Sequence, residues 1–304
     1  MEKYLVLGGG GFLGKVIVHH LSKRYKIRVF DRVAVPEFDG NENVEVVIGD
    51  FQTQQFDELL EGVAGVIHLV STTVPNDDTS IIPKEIEQNV IPTVRLLESM
   101  VRCGVKKILF SSSAGTVYGE TGDHVNCVDD PLNPQCSYGM QKKVNESYLQ
   151  FYGVRYGIDY RILRITNPYG FGQDPNKMQG LIPIFVNRLL KGEAITIFGD
   201  GSNERDYIYI HDVAEAVENV ILYSGAQRIF NIGYGESVSI NEIIHILEQE
   251  SGLNFVHIEK SPERVCDVRK SIVDAKSTQD ELGWYPKVDL LQGIRFTLDA
   301  LRNV

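Results

Sequence analysis

The strongest constraint on the fold lies at the N-terminus, where the apolar run Tyr4-Leu5-Val6-Leu7 leads directly into Gly8-Gly9-Gly10-Gly11-Phe12-Leu13-Gly14. A short apolar run of this kind reads as a buried strand, and the residues after Gly11 read as the opening of a helix. Gly8, Gly11 and Gly14 carry no side chain, so the backbone can approach a pyrophosphate whose charge the helix N-terminus receives. The spacing is G-x-x-G-x-x-G, one residue wider at its start than G-x-G-x-x-G. Phe12 and Leu13, inside the motif, belong to the same candidate cofactor surface. Asp31 ends the next predicted strand, where an acidic side chain accepts hydrogen bonds from ribose hydroxyls and repels a 2′-phosphate. NAD is therefore favoured over NADP. Arg32 keeps that choice open, since a guanidinium there could stack on adenine or accept the phosphate.

Strands are predicted at Tyr4–Gly8, Ile27–Asp31, Val44–Ile48, Gly65–Leu69 and Lys106–Phe110. Helical stretches are predicted to begin near Gly11, Phe56, Pro83 and Tyr138. Short apolar strands alternating with helices imply an α/β fold, a doubly wound parallel sheet of the Rossmann type. The stretch Ile86–Met100 places Ile86, Val90, Val94 and Leu97 at helical spacing, read mostly as core packing. After Arg161–Ile165 the chain turns to loops rich in Gly, Pro, Asn and Asp, with helices near Pro183–Leu190 and His211–Leu222. Ser239-Ile240-Asn241-Glu242 is a capping box opening another helix, and Asp289–Leu301 forms the last. The expected division is a dinucleotide-binding domain over 1–166 plus about 206–235. A smaller C-terminal substrate-binding lobe takes about 167–205 plus 236–304.

With 304 residues the chain can bury a substantial core. No apolar run approaches the ~20 residues that span a bilayer. The strand begins so early that no signal peptide fits before it, which makes the cytoplasm the expected location. Cys103, Cys127, Cys136 and Cys266 show no paired spacing that reads as a disulfide framework or zinc site. His19-His20 falls on a predicted helix and reads as surface, so no metal is implied. A net charge of -11 argues against nucleic-acid or membrane partners. An anionic ligand would need local arginines to capture it against that field.

Tyr138 and Lys142 stand one helical turn apart on the same face. A lysine ammonium so placed can stabilise a phenolate and draw the tyrosine pKa below its usual value of about 10. Tyr138 then becomes a general base for oxidation at a carbohydrate hydroxyl. The pair gains weight from Ser111-Ser112-Ser113 and Tyr118-Gly119 upstream. Asp50 reads equally as an adenine contact or a surface turn, and Asn167 alone as a turn residue before proline.

Taken in order, these landmarks resemble the extended short-chain dehydrogenases/reductases of the nucleotide-sugar epimerase/dehydratase family. Within it the chain is most similar to the UDP-sugar 4-epimerases of the UDP-glucose/UDP-galactose kind. The resemblance runs from Tyr4 to the C-terminal helix. It includes Asn167-Pro168-Tyr169-Gly170, Gly199-Asp200-Gly201, Arg205-Asp206-Tyr207, Arg264 to Asp267 and Leu282-Gly283-Trp284-Tyr285-Pro286.

The resemblance implies that Tyr138 takes the proton of the sugar 4′-hydroxyl while hydride leaves the same carbon for the nicotinamide. Ser113 would hydrogen-bond the reacting oxygen. Lys142 would hold the nicotinamide ribose and lower the Tyr138 pKa, helped by the positive charge of oxidised NAD. The 4-ketosugar would turn over in the site, receive hydride on its other face and leave the cycle redox-neutral. Asp50, Phe51 and Leu69 join the cofactor set. Asn167, Arg205, Arg264, Asp267 and Ser271 form the substrate set, with the arginines on the diphosphate and Asp267 on the nucleotide ribose. A homodimer is implied, joined by the helices after Pro83 and Tyr138.

The departures from the family pattern bear on function. Leu7 replaces a common threonine and Gly10 a frequent alanine, changes expected to loosen the glycine turn. Val70-Ser71 replaces a pair of small residues in the cofactor wall. Ala114-Gly115-Thr116 occupies the place where related 4,6-dehydratases carry an Asp-Glu pair, which disfavours elimination of water. Ser271, at a gate for the sugar 2-substituent, leaves room for an N-acetyl group. The expected activity is NAD-dependent 4-epimerisation of a UDP-sugar, glucose/galactose or the N-acetylated pair. The alternatives are a nucleotide-4-ketosugar reductase and a non-catalytic NAD-binding scaffold.

Overall fold

A computed structural model describes residues 1–174 and 180–302. Its first elements are β1 (Lys3–Leu7), α1 (Phe12–Leu21), β2 (Lys26–Asp31), β3 (Val44–Ile48), β4 (Gly65–His68) and α2 (Ile82–Glu85). Then come α3 (Ile91–Cys103), β5 (Lys107–Ser113), α4 (Ala114–Val117), α5 (Ser137–Tyr156), β6 (Asp159–Ile165) and β7 (Asn167–Tyr169). They are followed by α6 (Leu181–Lys191), β8 (Ile195–Phe198), β9 (Glu204–Tyr209), α7 (Ile210–Leu222), β10 (Ile229–Ile232) and β11 (Ser237–Ser239). The last are α8 (Ile240–Ser251), β12 (Ile258–Ser261), β13 (Lys270–Ser271), α9 (Ala275–Leu282) and α10 (Leu290–Arg302).

The described residues form two compact units. One comprises Met1–Ser113, Cys136–Arg164 and Ala214–Phe230; the other holds Ala114–Gln135, the described part of 165–213, and the chain from Asn231 onward. A seven-stranded sheet runs in the order β10-β6-β5-β4-β1-β2-β3, and β1 pairs in parallel with both β2 and β4. The β2–β3 and β4–β5 pairs are parallel as well. This is the doubly wound α/β architecture expected from the sequence. Leu5, Val6, Leu7 and Val66 are wholly buried, which is why these strands read as continuous apolar runs rather than alternating ones. Strand order reverses about β1, the point at which open α/β sheets bind ligands outside their carboxyl ends.

Two expectations need correction. The helix expected near Phe56 is a single 3-10 turn, Glu58–Leu60. Between Phe56 and Gly62, where φ is +70°, too few residues remain to offset the cost of helix nucleation. Phe56, Leu59 and Leu60 are buried from that one turn. The helix after Pro83 is broken in register by a π segment, Ile86–Val90. Pro92 has no N–H to give the carbonyl four residues earlier, and Thr93 Oγ1 instead donates to Asn89 O at 2.6 Å. The rotation leaves Ile86 44% exposed, while Val90 and Leu97 are buried.

A buried ion pair joins β6 to α5, with Arg164 Nη2 2.8 Å from Glu146 Oε2 and both side chains almost fully enclosed. Ser112 Oγ on β5 donates to the same carboxylate. In the second unit β9 is central, flanked by β11 and β13 and paired along its later half with β7. The capping box at α8 forms as expected: Ser239 Oγ accepts the Glu242 N–H and Glu242 accepts the Ser239 N–H. No described helix is long and apolar enough to cross a membrane.

His68 closes β4 between the rings of Phe51 and Phe110. The Thr93 hydroxyl proton is committed to Asn89 O, so His68 Nε2–H donates to Thr93 Oγ1 at 3.0 Å. Burial depresses the His68 pKa from 6.5 to about 3. The folded state therefore keeps the ring neutral while the unfolded chain protonates it, and stability falls as pH drops from 6.5 toward 3. Urea midpoints measured across that window should fall more steeply for the wild type than for His68→Leu.

Candidate active site

The glycine loop is shaped by its own backbone. Gly8 adopts φ +81°, and a Cβ on Gly14 would lie 2.2 Å from Gly8 O. Neither position admits a larger residue without moving the loop. Gly10 N donates to Asp31 Oδ2 at 2.8 Å, and a Cβ on Gly10 would come within 2.9 Å of that oxygen. The glycine that replaces a frequent alanine thus pins the turn to the end of β2 rather than loosening it. No side-chain hydrogen bond caps α1 at Gly11, which suits the helix N-terminus to receiving an anion. A cradle that a Cβ would fill, with an acid at the end of β2, fits a dinucleotide.

The remaining cofactor candidates divide. Leu69 N donates to Leu7 O at 3.0 Å, which keeps the exit of β4 beside the glycine loop. Asp50 is exposed and accepts the Gln52 N–H at 2.9 Å, the local turn that the sequence left open. Phe51 points into the core against Phe56 and His68. Arg32 is exposed, and Asp31 Oδ1 accepts its N–H at 2.7 Å.

Ser113, Tyr138 and Lys142 come together at the C-terminal end of β5 and the start of α5. Cys136 Sγ caps that helix by accepting the Gly139 N–H at 3.4 Å, setting Tyr138 in the first turn and Lys142 in the next. The side chains of Ser113 and of Ser71, from the loop after β4, draw the Tyr138 pKa down. Lys142 Nζ donates to Ser111 O at 2.7 Å and lies 5.6 Å from the centre of the Tyr138 ring.

The electrostatics correct the sequence expectation. Burial, assisted by the nearby Cys136, raises Tyr138 to about 12, and the Ser113 and Ser71 side chains only partly oppose it. Burial lowers Lys142 to about 8, against the opposing pull of Glu146. Lys142 does not by itself hold the tyrosine below its ordinary value, because desolvation disfavours both charged forms together.

In the second unit, Asn167 Nδ2 donates to Asp206 O at 2.9 Å. Arg205 Nη2 meets Asp267 Oδ1 at 3.5 Å. Asp206, its sequence neighbour, turns inward and accepts N–H groups from Tyr234 and Gly235, with burial raising its pKa to about 7. Arg264 stacks on Phe198, its guanidinium carbon 3.6 Å from the ring centre. Ser271 lies beside Arg205 in the parallel β13–β9 register and is buried. Sequence reasoning gave no role to Glu146, although it follows Lys142 by one helical turn. It also passed over Asn89 and Phe198, whose roles follow from pairing alone.

Residues 4–233 match the model of the NAD dependent epimerase/dehydratase family. The chain belongs to that family. A putative UDP-glucose 4-epimerase of Methanocaldococcus jannaschii is 35% identical over 303 residues, 98% of each chain. A dTDP-4-dehydro-6-deoxyglucose reductase of Escherichia coli is 34% identical over 308 residues, 98% of this chain and 97% of that one. The crystal structure of Thermotoga maritima UDP-glucose 4-epimerase with UDP-glucose superposes with a TM-score of 0.90 at 32% identity, covering 99% of both chains. The epimerase/dehydratase family acts on nucleotide sugars with NAD, the cofactor that the glycine loop and Asp31 led one to expect.

The depressed Lys142 pKa has a thermodynamic signature. Below about pH 8 the folded protein bears the full cost of a buried ammonium. Between about 8 and 10.5 the folded amine gives up its proton before the unfolded one does, so stability rises with pH. Urea unfolding of the cofactor-free protein should show this rise, and Lys142→Met should abolish it.

Proposed function

We propose that this protein is an NAD-dependent 4-epimerase of a UDP-linked sugar, working through a transient 4-ketosugar. The observation that carries the reading is the Lys142 amine 5.6 Å from the centre of the Tyr138 ring, one turn along the same helix and anchored on the Ser111 carbonyl beside Ser113. Tyr138 is assigned as the base that takes the sugar hydroxyl proton and later returns it. Ser113 holds the reacting oxygen. Lys142, oriented by Ser111 O, binds the nicotinamide ribose and adds positive charge beside the phenol. Bound NAD supplies reversible hydride transfer at the sugar carbon, and its oxidised ring brings the charge that overcomes the burial-raised Tyr138 pKa. Gly8, Gly11, Phe12, Leu13, Gly14, Asp31 and Leu69 are assigned to the cofactor.

The second unit is assigned to the nucleotide sugar. Its sugar must be free to rotate, so binding energy has to come from the nucleotide and diphosphate. Arg264, stacked on Phe198, and Arg205 present guanidinium groups suited to phosphate oxygens, and Asp267 is assigned to the ribose. Ala114-Gly115-Thr116 holds no acid or base, which counts against a dehydratase. The E. coli relative's name makes a reductase the competing reading; an enzyme of that kind must exchange cofactor each cycle. Ser271 is assigned as a gate that admits N-acetylhexosamines.

Incubation with UDP-glucose and, separately, UDP-N-acetylglucosamine without added NAD should give the galacto epimers, detected by NMR. Ser271→Tyr should slow the N-acetylated reaction about tenfold or more relative to the plain sugar, as expected of steric exclusion. Failure of both sugars to convert, with NAD supplied, would sink the UDP-hexose assignment.

A homodimer through α3 and α5 is proposed as well. Ile86, Ile91, Met140, Tyr148 and Phe151 are exposed apolar side chains on or beside these helices, a concentration typical of interaction surfaces. Sedimentation at micromolar concentration should give twice the chain mass of 34.1 kDa.

A further inference from the structure

Strand β9 carries a substrate candidate on one side and a wholly buried carboxylate on the other. Arg205 and Asp206 are consecutive, so their side chains leave the strand in opposite directions. Arg205 meets Asp267, while Asp206 is completely enclosed. We propose that Asp206 is a positioning residue for Asn167 and Arg205: its ionised carboxylate locks the turn at Tyr234-Gly235 against β9, and its protonation loosens that support. This role rests on the assignment of Asn167 and Arg205 to the nucleotide sugar.

Three segments of the second unit converge on Asp206. Its Oδ1 accepts the Tyr234 N–H at 2.9 Å and the Thr166 hydroxyl at 3.3 Å. Its Oδ2 accepts the Gly235 N–H at 3.0 Å. Its main-chain carbonyl accepts Asn167 Nδ2 at 2.9 Å, so the substrate candidate hangs from the same residue. Thr166 N–H donates to Ile232 O at 3.0 Å and ties the start of β7 to the chain entering the turn. A Cβ on Gly233 would lie 2.6 Å from Asp206 Oδ2 and 2.7 Å from Thr166 Cγ2. The turn wraps the carboxylate too closely for any larger residue there.

Among the described residues no basic side chain pairs with this carboxylate. Glu204, on the same side of β9, is taken by Lys270 of β13 at 3.0 Å and by Ser237 of β11 at 2.6 Å. Arg205 and Asp267 pair with each other on the opposite side. Glu236, just past the turn, adds repulsion, and the Tyr234 phenol stays neutral because burial raises its pKa. The folded carboxyl keeps its proton to about pH 7, whereas the unfolded one releases it near 3.8. Stability therefore falls as pH rises through that window, and the charge works against the fold. A protonated carboxyl accepts well only at its carbonyl oxygen, so one main-chain N–H of the turn loses its charged partner.

The test uses the full-length protein labelled with 15N-tyrosine and 15N-asparagine. The Tyr234 amide is assigned by its loss in Tyr234→Phe, and the Asn167 side-chain amide by its loss in Asn167→Asp. In the wild type both resonances should titrate together with a midpoint near pH 7. Neither should titrate in Asp206→Asn. UDP-glucose, whose diphosphate does not itself titrate in this range, should bind the wild type several-fold more weakly at about pH 6 than at about pH 8. Asp206→Asn should bind it weakly at both. An Asn167 resonance that stays still in the wild type overturns the proposal, even if Asp206→Asn does not fold. So does a UDP-glucose affinity that is flat with pH while both resonances titrate. If both titrate but the wild type binds no UDP-glucose, the role of Asp206 stands and the UDP-sugar reading falls.

Discussion

A carboxylate enclosed between strands and a helix is tolerated only when its charge is matched, and Glu146 is matched from two elements. Arg164 on β6 forms the ion pair and Ser112 on β5 adds a hydroxyl. Removing one partner of such a pair strands the other charge, at a cost of about 3–5 kcal/mol. The arrangement therefore fixes both the rotation and the height of α5 against the sheet. Lys142 lies one turn before Glu146 and Tyr138 one turn before that, so the catalytic candidates inherit their placement from a residue that takes no part in the chemistry. Glu146 also opposes the loss of the Lys142 proton in a site that otherwise disfavours charge.

Desolvation sets the resting state of that site. It favours a neutral phenol at Tyr138 and eases deprotonation of Lys142, so the protein alone holds a poor base. An oxidised nicotinamide held beside the tyrosine would supply the positive charge that reverses the balance. In the proposed cycle, proton abstraction would then be tied to the presence of oxidised cofactor. The side chains of Ser113 and Ser71 act in the same direction, drawing the phenol pKa down against burial.

The glycine loop, Asp31, the parallel strands, the α8 capping box and the tyrosine–lysine spacing were all legible in the chain because each depends on residues close in sequence. The helix expected near Phe56 failed because an apolar cluster carries the same signal whether one turn or three are built. Ile86 was misjudged because Pro92 and Thr93 shift the helical register through hydrogen bonds that periodicity does not record. Arg205 meets Asp267 while adjacent Asp206 accepts backbone N–H groups from Tyr234 and Gly235, since neighbouring residues on a strand face opposite ways.

From the sequence alone followed the class of fold, the cofactor and the identity of the residues that meet at the end of β5. Local backbone preference and short-range spacing suffice for these. Only the tertiary structure decided which way their proton equilibria lean, and that Ala114–Gln135 clusters with the second unit rather than the first. It alone paired Glu146 with Arg164 and Ser112, residues distant along the chain. Desolvation and long-range hydrogen bonds depend on every element packed around a group, and no window of sequence contains them.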